Sequence, residues 1–278
     1  MTDPYLMSLL AGAAVGGAAA YLGSLMITRR MALVGDALGH VALPGMGLAL
    51  LAKVDPSLGA FLFLALGIVV IWKLGEKTSL STETLVGLVF VTSLALGFLI
   101  VPQPELLESL IGDISQLSTA GLILTVVLCA IVLIIVQGIY PRMMLLNLSP
   151  DLAAVEGVRE SRTNLLYLSA IAVMVALGVK VTGSLLVGAL VIIPPATARI
   201  LVSNLGQYRR FSVGIGVAGC LAGILVSRVS HFPPGPAIIL ANAFFFLAAL
   251  GLKKWRPARP VPGGRREDGP QSSPTPPV

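Results

Sequence analysis

Apolar runs of near 20 residues recur along the whole chain, separated by short polar stretches. A helix needs about 20 apolar residues to cross the hydrocarbon core of a bilayer. The pattern predicts an all-α, polytopic membrane helical bundle with nine transmembrane helices, at about 6–27, 32–52, 57–74, 83–101, 118–139, 163–181, 184–202, 211–230 and 234–252. Eight spans remain the alternative, because the last two runs are weak.

Positive charge is concentrated on alternate connections between these runs. One side carries the clusters Arg29-Arg30, Lys73 with Lys77, Arg142 with Arg159 and Arg162, Arg209-Arg210, and the tail with Lys253, Lys254, Arg256 and Arg259. The other side carries Lys53, Lys180 and Arg228. The positive-inside rule makes the richer side cytoplasmic. The N-terminus is then predicted outside and the C-terminus inside.

Composition agrees with a membrane protein. Of the 278 residues, 56% are hydrophobic and 12% are charged, whereas soluble domains carry about 25% charged residues. The net charge of +6 does not indicate a nucleic-acid partner, because the basic residues lie in short clusters between apolar runs. Cys129 and Cys220 fall inside apolar runs and are predicted to be packing residues.

The chain divides into two regions. Residues 1–253 are predicted to form one transmembrane domain. Residues 254–278 are rich in Pro, Gly and Ser and are predicted to be a disordered cytoplasmic tail.

The stretch "GDALGHVALPG", from Gly35 to Gly45, places an acid and an imidazole in the second predicted span. Asp36 and His40 are four residues apart, so they share one helix face about 6 Å apart. A carboxylate inside the membrane costs about 2.5–3.5 kcal/mol and needs a partner, a proton or a function. From a helix start near Ala32, His40 is predicted to lie roughly 12 Å deep.

Three interpretations of this pair are open. Pro44 removes the hydrogen bond to the carbonyl of His40, so the site offers oxygen and nitrogen ligands without a thiolate. That set suits Zn(II), Mn(II) or Fe(II). A buried Asp–His hydrogen bond that locks two helices together, or a proton relay, would use the same residues.

Three other segments stand out. The predicted outer segment 102–117 carries Glu105, Glu108 and Asp113, which could attract cations to an entrance or simply be solvated. Pro194-Pro195 would free the carbonyls of Leu190 and Val191, and a kinked packing helix is favoured over ligation there. In the longest inner connection, Ser149 is an N-cap candidate and Gly157 a stop, which predicts a short capped helix that must dock on something.

Motifs of nucleotide hydrolysis and catalysis are absent from the sequence. It contains no G-x-x-x-x-G-K-[ST], no HExxH, no GxSxG and no paired CxxC. The chain therefore does not bind ATP through a P-loop, and nothing in it indicates an enzyme.

Three stretches together resemble the membrane permease subunits of ABC importers for divalent metals, the ABC-3 family. They are "RRMALVGDALGHVALPG", "LSPDLAAVEGV" and "GSLLVGALVIIPPATARI", in this order. The resemblance spans roughly Leu6 to Leu252. It implies a multi-pass protein of the bacterial-type cytoplasmic (inner) membrane that imports Zn²⁺, Mn²⁺ or Fe²⁺ as substrate, with no permanently bound cofactor.

The resemblance also implies partners and residue roles. Such permeases work as homodimers, with two cytoplasmic ATPase subunits and an extracytoplasmic metal-binding protein. Asp36 and His40 would contact the metal, and Glu105, Glu108 and Asp113 would face the delivering protein as an outer gate. The ATPase coupling helix would comprise Ser149, Pro150, Asp151, Leu152, Ala153, Ala154, Val155, Glu156 and Gly157.

Two alternatives for the function remain at this point. A proton-coupled secondary transporter would use Asp36 as its coupling carboxylate and would need no ATPase. An ABC permease for metal chelates would need a wider path. The capped inner helix favours an ATPase partner, because a stand-alone carrier needs no docking element.

Overall fold

The computed structural model describes residues 4–100, 118–182 and 187–254. Within these ranges every regular element is a helix, which confirms the predicted all-α class. The helices are α1 Pro4–Thr28, α2 Val34–Leu51, α3 Pro56–Lys77, α4 Thr82–Ile100, α5 Thr119–Leu148, α6 Pro150–Val155, α7 Glu160–Thr182, α8 Val187–Leu201, α9 Leu205–Ser230 and α10 Pro234–Lys254.

Eight of these helices are long and apolar enough to cross a bilayer. The span predicted at 184–202 corresponds to α8, whose 15 residues extend over roughly 22 Å. That is shorter than the hydrocarbon core of about 30 Å. By length, the described part of the chain therefore has eight membrane-crossing helices and one shorter apolar helix. The orientation of the termini stays a prediction.

Two helices are longer than the predicted spans. The 30-residue α5 continues to Leu148, and α9 begins at Leu205, whereas the spans were predicted at 118–139 and 211–230. The apolar pattern marks only the lipid-embedded part of a helix, and polar residues continue both helices toward the predicted cytoplasmic side. Their true ends are set by capping. The Asn204 side chain accepts a hydrogen bond from the Gly206 amide at 2.8 Å, which starts α9.

The core of the bundle is built around α1, which packs against α5, α7, α8 and α9. Its buried positions are largely small, among them Ala11, Val15 and Ala18. At the crossing with α9, a Cβ atom on Gly16 would lie 2.6 Å from the carbonyl oxygen of Gly216. The two backbones therefore touch, as small residues allow in lipid.

The second helix occupies a central place beside this core. It packs against α3, α4, α7 and α8, and most of its residues are buried. This arrangement holds the start of α2, with its acid and imidazole, between α4 and α8.

Candidate functional site

Asp36 and His40 lie one turn apart near the start of α2, and both side chains are half-buried. The helix begins at Val34, two residues later than predicted. His40 is therefore roughly 9 Å, not 12 Å, from the start of the helix. The pair lies closer to the predicted cytoplasmic side than the sequence indicated.

The histidine ring is oriented by its own helix. His40 Nδ1 lies 3.1 Å from the backbone carbonyl oxygen of Asp36. Because a carbonyl oxygen only accepts hydrogen bonds, this contact needs a proton on Nδ1. Histidines that bind metals usually donate their second ring N–H to a carbonyl or carboxylate in this way. The contact thus leaves Nε2 as the ring nitrogen that could bind a metal.

Two neighbouring helices complete the surroundings of the pair. The ring of Phe90, on α4, meets the His40 ring edge-on with centroids 5.5 Å apart. On α8, Gly188 lies directly against Asp36, since a Cβ atom there would be 2.5 Å from Asp36 Cβ and 2.8 Å from its Oδ1. Only glycine permits this approach. No local pattern in the sequence indicated the role of Phe90 or the contact of Gly188 with Asp36.

Proline residues shape both helices without breaking them. Pro44 lies buried inside a continuous α2 and faces α4, where a Cβ on Gly97 would be 3.7 Å from its ring. Pro194 and Pro195 lie buried inside a continuous α8. The carbonyl of Val191, which Pro195 cannot bond, sits against Gly23 of α1 so closely that a Cβ there would collide with it. The double proline thus serves helix packing, as predicted.

The acid–imidazole pair alone would be an incomplete metal site. Among the described residues, no group of three or more His, Cys, Asp or Glu side chains could hold a metal ion together. Asp36 and His40 would supply two ligands, whereas a structural zinc site has four. The remaining ligands would be backbone oxygens, water or residues of another chain. Cys129 and Cys220 are buried free thiols, as predicted.

The predicted coupling segment forms the short helix α6, capped at both ends. Ser149 Oγ accepts a hydrogen bond from the Leu152 amide at 3.3 Å, and Pro150 occupies the first helical turn. At the other end, Gly157 takes a positive φ of 70°, and the Val158 amide bonds to the Ala153 carbonyl at 2.9 Å. This is the left-handed stop that favours glycine.

The surface of α6 is divided into an anchored and an exposed side. Ala153 is fully buried against the bundle. Leu152 and Val155 are 50% and 84% exposed, although α6 lies beyond the end of α5 on the predicted cytoplasmic side. Apolar side chains exposed on a short helix outside the membrane are typical of a docking surface.

Polar contacts that the sequence did not predict tie the segment after α6 to α3. Ser161, in the first turn of α7, donates a hydrogen bond to Glu76 Oε1 at 2.7 Å. Trp72 Nε1 donates to the same Ser161 hydroxyl at 2.8 Å. These bonds join the end of α3 to the start of α7. The predicted outer-gate residues Glu105, Glu108 and Asp113 lie outside the described residues.

Comparison with known proteins identifies the family. The profile of the ABC 3 transport family matches residues 2–253. The chain belongs to this family. Members of the ABC 3 family are permease subunits of ATP-binding-cassette transporters, so the chain is a transport protein and not an enzyme. It is a multi-pass protein of the inner membrane. Family membership implies ATPase subunits and a substrate-binding protein as partners, and it does not support the proton-coupled carrier.

Individual relatives share most of the chain's length. The high-affinity zinc uptake system membrane protein ZnuB of Haemophilus influenzae is 29% identical over 87% of this chain and 95% of its own length. The manganese import system permease protein ScaB of Streptococcus parasanguinis is 26% identical over 87% of this chain and 88% of its own. The structure of PsaBC from Streptococcus pneumoniae in complex with Fab is similar with a TM-score of 0.76 at 23% identity, covering 90% of this chain and 92% of that one.

Proposed function

We propose that the chain is the permease subunit of an ABC importer that moves a bare divalent transition-metal ion, Zn²⁺, Mn²⁺ or Fe²⁺, into the cytoplasm. The observation that carries the proposal is the acid–imidazole pair in α2, with His40 Nε2 left free by the bond from Nδ1. Relatives named for zinc and for manganese uptake support the substrate class. The ion is cargo, and no resident cofactor is proposed.

The pair acts as a transient way-station, that is, a site that binds the ion briefly during its passage. Conduction needs binding that is favourable enough to admit the ion and weak enough to release it. Two protein ligands on a half-buried helix face meet that need better than a closed four-ligand cage, which would retain the ion.

A homodimer would complete the site. At this site one chain offers the Asp36 carboxylate and the His40 imidazole, and two copies related by a two-fold axis would offer two of each. Four such ligands around an axis match the tetrahedral coordination of zinc. The translocation path is accordingly proposed to run between two copies, with Asp36 and His40 facing it from both sides.

The energy comes from separate ATPase subunits, which dock on the helix α6. Leu152 and Val155 are proposed to enter an apolar groove of the ATPase, while the buried Ala153 anchors the helix to the bundle. Asp151 lies in the first turn of the helix, where a negative charge is favoured by the helix dipole. An extracytoplasmic metal-binding protein delivers the ion.

Uptake of radioactive zinc and manganese tests the way-station. The test variant is His40→Asn, and its matched control is His231→Asn, since the second histidine lies exposed at the left-handed C-cap of α9, where Asn is tolerated. With equal membrane levels of the complex, His40→Asn and Asp36→Asn are expected to lower uptake at least ten-fold and His231→Asn to leave it unchanged. Wild-type uptake by both α2 variants would overturn the assigned role.

A further inference from the structure

An open, partly polar cavity lies on the surface of the bundle between α1, α5 and α9, away from the acid–imidazole pair. Its volume is about 480 Å³. Its polar lining comes from Tyr21, Gln137, Arg209 and Arg210, beside the apolar Leu133. Neither metal transport nor ATPase docking, as proposed above, uses these residues.

The depth of the cavity follows from the positions of its residues along their helices. Tyr21 is seven residues before the end of α1 and Arg209 four residues after the start of α9, which are distances of roughly 10 Å and 6 Å. Gln137 lies roughly 16 Å before the end of the long α5. All three helix ends belong to the side that is rich in basic residues. The cavity therefore lies at the headgroup level of the predicted cytoplasmic leaflet.

The charge of the cavity is positive, and no carboxylate of the described residues lies in its lining to compensate it. Arg209 is held by aromatic residues, with its guanidinium 4.8 Å from the ring centre of Tyr140 and Nη1 3.4 Å from the Tyr21 hydroxyl. Arg210 is exposed. None of the described residues forms an ion pair with either arginine. Two guanidinium groups thus remain available to an anion.

The surface beside the cavity is apolar. Ile134, one turn from Gln137 on α5, is 70% exposed, and Phe211, next to Arg210, is 47% exposed. A ligand that fills the basic cavity and also covers the apolar surface beside it must carry an anionic head and an apolar tail. Basic pockets between transmembrane helices on the cytoplasmic side bind lipid headgroups by this combination.

We infer that this cavity is a binding site for an anionic phospholipid of the cytoplasmic leaflet. The phosphodiester binds between Arg209 and Arg210, because guanidinium groups match the geometry of phosphate oxygens. Gln137 and the Tyr21 hydroxyl lie within the same cavity to bond glycerol or ester oxygens. The acyl chains lie along Ile134 and Phe211.

Native mass spectrometry of the full-length chain, purified with its ATPase subunits, tests this site. The complex is loaded from micelles that contain phosphatidylglycerol or phosphatidylcholine, and retained lipid is counted. Arg210→Gln is expected to lower retention of phosphatidylglycerol on the order of five-fold, the factor expected for one arginine near a charged surface. Arg210→Lys should keep most of the retention of phosphatidylglycerol. The retention of phosphatidylcholine should be the same in all variants.

The matched control is Arg142→Gln, an exposed arginine on the same predicted side that lines no part of the cavity. It removes the same charge and should leave retention unchanged. An equal loss in Arg142→Gln and Arg210→Gln would overturn the site in favour of general surface attraction. Displacement of the lipid by soluble glycerol phosphate at equal concentration would show a free-phosphate site instead. A change of oligomeric state in Arg210→Gln with unaltered lipid retention would make the cavity a contact between copies.

Discussion

The contact between Gly188 and Asp36 makes a sharp prediction for Gly188→Ala. The new Cβ would lie 2.5 Å from Asp36 Cβ, 2.8 Å from its Cα and 2.8 Å from Oδ1. Carbon atoms pack best about 3.5–4.0 Å apart, so α8 and α2 must separate by about 1 Å. Rotation of the Asp36 side chain cannot relieve the clash, because Cα and Cβ do not move with it.

The size of the effect follows from overpacking. A methyl group forced into a packed interface costs about 1–3 kcal/mol, against a gain of about 0.5–1 kcal/mol for replacing a helical glycine by alanine. The net effect is a destabilisation of up to about 2 kcal/mol together with a displaced carboxylate. Metal uptake is therefore expected to fall several-fold, and by more than the loss of folded complex explains.

The assay compares Gly188→Ala with Gly138→Ala, a helical glycine of α5 whose added Cβ would meet nothing within 4 Å. Thermal unfolding of the purified complex gives stability, and uptake per folded complex gives function. Gly138→Ala should match or exceed the wild type in both. If Gly188→Ala behaves like Gly138→Ala, the close packing of α8 on Asp36 does not support the site.

Two further predictions concern the ATPase side of the molecule. Val155→Asn, at a side chain that is 84% exposed on α6, should reduce copurification of the ATPase subunits. Its control is Val229→Asn, at a side chain that is 81% exposed near the C-terminal end of α9, which should leave copurification unchanged. Equal copurification in both variants would contradict docking through α6. Ser161→Ala removes the bonds to Trp72 and Glu76 and should lower the unfolding free energy by about 1–2 kcal/mol as well as the metal imported per ATP hydrolysed. Thr92→Ala, which removes only a bond within its own helix, is its control, and an unchanged import ratio in Ser161→Ala would refute a role in coupling.

Local features of the sequence were enough to predict the long helices and the two ends of α6. The apolar runs predicted every long helix, and Ser149 with Gly157 predicted both ends of α6, because hydrophobic runs and caps depend on neighbouring residues. The same reasoning ended the fifth span near 139, since polar residues there interrupt the apolar run while the helix continues to Leu148. Apolar periodicity reports lipid contact and not the end of a helix.

Tertiary contacts of the site could not be predicted in this way. The spacing of Asp36 and His40 placed them on one face, but the partners of that face come from remote segments. Gly188 and Asp36, which are in contact, lie 152 positions apart in the sequence. Gly188 lies against a carboxylate and Gly138 faces open space, but both are single glycines in apolar helices. The local sequence therefore does not distinguish the two positions.

The short helix α6 connects through residues 156–159 to α7, and α7 is linked to the acid–imidazole pair by packed helices. Force on α6 passes to α7, whose first turn is bonded to α3 through Ser161 and Glu76. Both α3 and α7 pack against α2, where Asp36 and His40 lie within roughly 9 Å of the helix start. Because packed interfaces transmit strain without compressing, movement of α7 relative to α3 is expected to shift α2 against its neighbours, α8 among them. Gly188 is the point at which that displacement reaches the carboxylate.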